Sequence, residues 1–429
     1  MQINKLKAIK WYTYLGAIIL LLVLLFESKG ENGDLTIFLD ASRDLMQGEN
    51  IYTNTYNEWY HYYYDTLFAL LLVPFTFLPL FLVKFIWLSL NVFFVVRIWK
   101  IITGWLPINQ LSSKQKTIFT LLSFLFILAF LRDNFHLTQV TIFILYLTLE
   151  GLHFIERGKK LTGSLLIAFA ITVKLLPLVF IPYLLYRKEW KAFGSVCILI
   201  VVLLLIPGLI IGLDYNHFLI LERWKLLNPT NTAHVLDTSE RSFHSISTLF
   251  STLFVAESGD IYALPYRRHL LDLPLETLST LINAARLLFV GATLYFLASK
   301  PFQPAKSNLQ KLYEISYICL IIPLIFPHQQ HYAFFFIFPA SSYLLFYFTR
   351  IYVNNQTKAQ DQPSRKNKMM MIILLSLVYL MTNGHFILGT FNPILEHYKI
   401  LTYSVFILCG MLAYYSPTKL DRKINNSVS

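Results

Sequence analysis

Apolar runs of about 17 to 22 residues recur through this chain, each long enough to cross a hydrocarbon layer roughly 30 Å thick as a helix. No water reaches such a layer to satisfy a bare backbone, and runs of this length suit helices rather than barrel strands. Spans are read near residues 11–27, 80–101, 118–132, 137–155, 192–213, 278–298, 312–326, 332–349, 369–388 and 400–416. The expected fold is an all-α polytopic membrane protein with about ten full spans plus a broken helix hairpin, ten to thirteen membrane segments in all. Composition agrees: 56% of the 429 residues are hydrophobic, 14% are charged, and the mean hydropathy is +0.54. The first run follows Lys5, Lys7 and Lys10 and shows no small-residue cleavage site, so it reads as an uncleaved first helix.

Charge then orients the runs. The net charge of +12 is scattered over helix ends, as the positive-inside rule produces, and this argues against a nucleic-acid partner. Both termini come out cytoplasmic, in a multi-pass protein of the cell (inner) membrane. Two long segments, 28–65 and 214–276, lie outside; 354–368 is a polar cytoplasmic linker. None is long enough for a domain of its own, so residues 1–429 form a single integral membrane domain. The run 161–185 departs from the others. It is flanked by ERGKK and YRKEWK, so both of its ends favour the cytoplasm, and one span cannot satisfy that. Two short helices meeting at a break over Lys174–Pro177 can, provided the irregular backbone lines a cavity. A similar half-span precedes residue 80, where LFALLLVPFTFLPL contains Pro74 and Pro79. Cys197, Cys319 and Cys409 sit inside apolar runs at no metal-like spacing and read as core residues.

Polar chemistry collects on the outer side. Glu27, Glu31, Asp34, Asp40, Asp44, Glu49, Glu58 and Asp65 place eight of the chain's 24 carboxylates in one short segment. Within it, LTIFLDASRDLM has the pattern of an amphipathic helix lying along the interface. Asp34, at its start, suits an N-cap; Asp40 and Asp44 share a polar face with Arg43. RDNFH, with Arg132 and Asp133, leads to Gln139; RSFHSIS carries Arg241 and His244; HQQH carries His328 and His331. Arg132–Asp133 also fits an interfacial ion pair, and Arg241 fits a lipid-phosphate anchor. The HxxH spacing is compatible with a metal, but no carboxylate lies beside it in sequence, so no metal site is assigned and a divalent ion is left open. YNEWYHYYY reads as an interfacial aromatic belt. Lys174 points into the bilayer from the hairpin, where a charge costs about 2.5–3.5 kcal/mol on insertion scales, so its default reading is functional, with an anionic partner.

The arrangement resembles glycosyltransferase family 87. The pattern D-L-x-[IV]-[YF]-x-x-A followed by G-x-x-[IY]-Y is carried here by Asp34, Leu35, Ile37, Phe38, Ala41, Gly48 and Tyr52, ahead of a tyrosine-rich stretch and the proline-broken LLLVPFTFLPL. The segment LTGSLLIAFAITVKLLPLVFIPYLLYRKEW is similar to the family's small-residue helix, mid-span Lys and basic exit. The resemblance covers roughly residues 10 to 215 well. Late in the chain FPHQQHYAF keeps only Pro327 and His331 of the family's pattern. It implies a GT-C-like fold and a polyprenyl-phosphate-sugar donor, with mannose the usual sugar, and it puts the role of catalytic base on Asp34.

The expected function is therefore inverting transfer of mannose or another hexose from a polyprenyl-phosphate donor to a lipid or glycan acceptor at the extracytoplasmic face. Asp34 is the base for the acceptor hydroxyl. Lys174, Arg132, Arg241, His244, His331 and Gln139 are candidates for the donor phosphate and substrate, with Asp40, Asp65 and His328 behind them. No cofactor is called for. No Gly-rich phosphate loop or DxD-type nucleotide-sugar motif is found, which agrees with a lipid-linked donor. The competing class is a transporter or flippase of a lipid-linked or anionic solute, which a mid-membrane Lys in a broken helix pair also suits. A non-catalytic membrane partner explains none of the clustering.

Overall fold

The computed structural model describes residues 33–228, 233–297, 299–352 and 365–418. The expected first span 11–27, Glu27, Glu31, both termini and most of the 354–368 linker lie outside these residues. Among the described residues the fold is all helix, with only two isolated bridges, Tyr56 to Tyr60 and Phe243 to Gln330.

The amphipathic segment forms α1 (Asp34–Gln47). Leu35, Phe38, Leu39 and Leu45 are buried beneath it, and Asp40 pairs with Arg43 on its outer face. Gly48, at φ +81, ends the helix in the left-handed conformation that glycine adopts without penalty. Its other end is fixed by contact: a Cβ on Gly33 would come within 2.7 Å of Thr138 Oγ1 and 2.8 Å of the Leu137 carbonyl. That close approach lets the Asp34 amide donate to Leu137 O at 2.9 Å and the Leu35 amide to Thr138 Oγ1 at 3.2 Å. Next come α2 (Thr66–Leu72), capped by Asp65, a 3-10 turn containing Pro74, and the long α3 (Leu80–Trp105). The expected half-span before residue 80 is this short apolar piece, Thr66–Phe77.

The helices α4 (Ser113–Phe126) and α5 (Leu128–His136) follow, then α6 (Thr141–Glu156) and α7 (Lys160–Val173). The last two run antiparallel through a turn at Gly158 and touch backbone to backbone. A Cβ on Gly163 would lie 2.4 Å from the Gly151 carbonyl, and one on Gly151 would lie 2.8 Å from that of Gly163. The residues just before α6 and just after α7 therefore emerge at one end of the bundle, which brings Gln139 and Lys174 into the same neighbourhood.

After α7 the chain breaks at Lys174, makes a 3-10 turn over Leu176–Val179 and returns as α8 (Phe180–Tyr186). It is a hairpin, because both ends meet. Lys160 Nζ donates to Glu189 Oε2 at 2.6 Å, and Ser164 Oγ to Ala192 O at 3.2 Å. The next helix, α9 (Trp190–Leu205), thus starts level with α7 and runs beside it. The 14 residues of α7 rise about 21 Å, against about 33 Å for the 22-residue span Trp190–Ile211. The hairpin tip therefore stops roughly 12 Å short of the far end, leaving room above Lys174.

The remaining longer helices are α10 (Leu213–Leu227), α11 (Ile246–Phe254), α12 (Leu275–Leu297), α13 (Asn308–Ile325), α14 (Phe338–Tyr352), α15 (Arg365–Thr382) and α16 (Ile400–Tyr414). In the helical run His331–Ile351 nearly every residue is buried, so it forms the central post, whereas in Leu275–Leu297 few are buried and most of the surface faces outward. The span count is met only in part. Four helices, Leu80–Trp105, Trp190–Ile211, Leu275–Leu297 and His331–Ile351, are long and apolar enough to cross a membrane, or up to six if two bent pairs count as one span each. About ten full spans are thus not found among the described residues. Apolar length overstates span length where the chain bends: by 50° between α4 and α5, and by 80° after α15. It also does so at α6, α7 and α16, which have 16, 14 and 15 residues.

Candidate active site

Above the hairpin tip lies a cavity of about 500 Å³. Its walls come from five stretches distant in sequence: the start of α1, the tyrosine-rich loop before α2, the hairpin break, the region from Leu227 to Tyr262 and residues 326–332. Asp34 occupies the first turn of α1, but Gly33 is the N-cap and no side chain caps the helix. The Asp34 carboxylate faces Gln139 instead, accepting from Nε2 at 2.5 Å. Burial pushes its pKa up to about 6, against the Gln139 hydrogen bond and the positive charge of Lys174, with Glu240 adding a smaller upward push. A carboxylate in this state is ionised at neutral pH yet basic enough to take a proton.

Lys174 reaches the cavity from the C-terminal cap of α7. Its ammonium sits 5.7 Å from the ring centres of both Tyr64 and Tyr332. It forms no ion pair among the described residues, so its charge remains available to a ligand. The base of the hairpin tip is clamped from below. Arg223 of α10 donates to Thr172 O at 2.6 Å and to Asp65 Oδ1 at 3.0 Å. Asp65 also caps α2 through the Leu67 amide at 3.2 Å.

The other expected residues are distributed as follows. Gln139 is buried and binds Asp34; Asp65 is committed to Arg223 and its helix cap, outside the cavity lining. Asp40 lies on the outer face of α1. Arg132 pairs with Asp133 at 4.0 Å and stacks over Phe386, and Arg241 lies 3.8 Å from Glu396 and over Tyr262; neither lines the cavity. The two HxxH histidines separate, because His328 adopts a left-handed backbone (φ +56) and the four residues form no helical turn. His331 turns to Asp133, Nδ1 to Oδ2 2.6 Å, and lines a second cavity of about 250 Å³ with His244 and Glu396. Burial, with Lys399 and His331 nearby, holds His244 well below the ordinary histidine range, so it is neutral. His328 faces the first cavity. Among the described residues no group of three His, Cys, Asp or Glu side chains is placed to hold a metal.

Sequence reasoning missed three residues here. His234 and Glu240 line the cavity, and Asp237 stands behind them, buried and bonded to His328. Burial raises the Glu240 carboxyl, offset by a hydrogen bond from Tyr60. Asp237 is pushed up by burial but held low overall by His328, Ser245 and Thr248. The only sequence signal was the spacing of His234 and Asp237 in a long outer segment, which says nothing of a partner 91 residues away.

No curated protein and no solved structure matches this chain. The family model for glycosyltransferase family 87 does match, over residues 62–300. That range holds the end of the tyrosine-rich loop, from Tyr62, the hairpin with Lys174, and Asp237. It starts after Asp34 and ends before His328. With more than half of its length matched and several apolar helices that fit a multi-pass membrane protein, the chain belongs to glycosyltransferase family 87 and is a membrane glycosyltransferase.

Proposed function

We propose that this enzyme transfers a hexose, mannose being the first candidate, from a polyprenyl-phosphate donor to a hydroxyl of a lipid or glycan acceptor, with inversion at the anomeric carbon. The fold is of the GT-C class, the site faces the extracytoplasmic side of the cell membrane, and both termini are cytoplasmic. The observation that carries this reading is a carboxylate and an unpaired ammonium, Asp34 and Lys174, on the walls of one cavity sunk below the end of the neighbouring span. A lipid phosphate is a good leaving group and needs no nucleotide. Lys174 supplies the charge that neutralises it as the bond to the sugar breaks. Asp34 accepts the proton of the attacking hydroxyl, and Gln139 keeps the carboxylate aimed. With Asp34 as base and the acceptor hydroxyl attacking directly, attack comes from the face opposite the phosphate, which inverts the centre. Tyr60, Tyr63, Tyr64 and Trp59 provide aromatic walls suited to the apolar face of a sugar or the first units of a prenyl chain.

The test uses purified full-length protein in lipid nanodiscs with short-chain prenyl-phosphate-mannose and -glucose and a membrane lipid extract. Transfer from one of them, giving a product of inverted anomeric configuration by NMR, is expected. Retention would contradict the single-displacement scheme. Movement of intact donor between leaflets without transfer would favour the flippase class.

A further inference from the structure

The cavity wall opposite in sequence to Asp34 carries a chain of three side chains. Asp237 Oδ1 lies 2.7 Å from His328 Nδ1, and the His328 amide donates to Oδ1 and Oδ2 at 3.0 and 3.2 Å. Oδ2 also accepts from Ser245 Oγ at 2.5 Å and Thr248 Oγ1 at 2.7 Å. A buried carboxylate with this many donors is ionised. His328 Nδ1 therefore carries a proton. His328 Nε2 lies 2.7 Å from His234 Nδ1, and two ring nitrogens this close share a single proton. The imidazole of His234 also bonds the Leu226 carbonyl, which can only accept, so that proton sits on His234 and leaves its Nδ1 as a lone pair. The shared proton then belongs to His328 Nε2. Counting donors and acceptors leaves His328 donating from both ring nitrogens, Nδ1 to Asp237 and Nε2 to His234.

This chain also serves to tie the 234–245 segment to residues 326–330. For that task the amide and hydroxyl bonds of Asp237 suffice. They do not call for two histidines on a cavity wall, nor for left-handed backbone at both Asp237 (φ +43) and His328 (φ +56), a conformation that favours glycine. Strain of this kind persists where a side chain must be aimed.

We infer that His328 is the acid of the transfer reaction, with Asp237 and His234 as its positioning residues, and that its ligand is the departing prenyl phosphate. The inference rests on the donor class proposed above. The acceptor oxygen forms its bond to the anomeric carbon as the bond from that carbon to the phosphate oxygen breaks, with the electron pair going to the phosphate. Asp34 takes the hydroxyl proton. A phosphate oxygen replaces His234 as the acceptor of His328 Nε2–H and takes that proton, leaving a phosphate monoanion and a neutral His328 still bonded to Asp237. The titratable groups facing His328 are Asp237, His234 and Tyr63, with Arg286 beyond them beside Asp237.

The test compares two donors in nanodiscs. One is a prenyl-phosphate sugar; the other is its para-nitrophenyl-phosphate counterpart, whose less basic phosphate leaves without a proton. His328→Gln is expected to lower kcat about 100-fold with the prenyl donor and only a few-fold with the aryl donor. Asp237→Asn and His234→Gln should show smaller losses with the same dependence on donor and little change in KM. Melting curves establish that each variant folds; if His328→Gln does not, His234→Gln carries the same readout. Equal losses on both donors, or no loss, would overturn the role of His328. A wild type inactive on both would remove the donor reading and this inference with it.

Discussion

Asp34 and Asp65 come from the same acidic segment, and both are enclosed by the fold, but they do opposite things. Asp65 is fully committed: one oxygen caps α2, the other holds Arg223, and Arg223 grips the hairpin through Thr172. Asp34 has one side-chain partner, Gln139, and a carboxylate that opens onto the cavity. Burial raises both carboxyls, and in Asp65 the charge of Arg223 and the amide of Leu67 pull back. The contrast separates a strut from a reagent. A buried carboxylate whose lone pairs are all engaged fixes geometry, whereas one with lone pairs left over, next to an unpaired cation, can take part in chemistry.

Substitution should expose this difference most sharply. Asp34→Asn keeps shape and removes the base, so kcat for transfer is expected to fall by roughly 10²–10⁴-fold. It should also raise the melting temperature. Because the folded-state pKa lies near 6, above the ordinary value, the stability this group contributes is present below about pH 4 and is lost as pH rises through about 6. At neutral pH an ionised Asp34 thus costs roughly 1–3 kcal/mol, discounted for its opening to the cavity. Asp65→Asn leaves Arg223 buried without its counter-charge and should cost about 3–5 kcal/mol of stability, read as a lower melting temperature, with activity lost only as the fold is lost. If both variants lost activity without a change in melting, the division would be wrong.

Smaller effects sharpen the same contrast. Lys174→Ala should raise the donor KM about 10–100-fold, the worth of a charge-assisted contact, with little effect on the acceptor KM. Transfer by the wild type should fall about tenfold per pH unit below about 6 as Asp34 takes up its proton, a limb absent from the residual rate of Asp34→Asn. Arg132→Ala and Arg241→Ala, whose side chains are partly exposed and lie off the cavity, should each change transfer by no more than about threefold.

Local chemistry explains which parts of this were legible in sequence. Basic residues on both sides of 161–185 left the chain no option but to return, and Lys174 with Pro177 marked where. Asp34 and Gln139 were assigned to one side from charge, with Lys174 reaching them from the hairpin only through a cavity, and the α6–α7 hairpin brings Gln139 and Lys174 to one end because Gly151 and Gly163 let the helices touch. The number of spans was not legible, since an apolar run does not reveal a bend such as those at Ile127 and Asn383. Nor was the division of these polar residues between two cavities. Arg132, Arg241 and His331 share a side with Lys174, but which wall each joins depends on how loops pack. Asp237 and His328 lie 91 residues apart, and no local pattern in the sequence announces that they meet.

The most direct measurement is a structure of the protein bound to a prenyl-phosphonate sugar in which a methylene replaces the bridging oxygen. A phosphonate within hydrogen-bond reach of Lys174 Nζ, with the anomeric carbon between it and the Asp34 carboxylate, is the predicted result. A phosphonate held beside Arg132 or Arg241, or a sugar in the second cavity with His331 and His244, would contradict the assignment of the site.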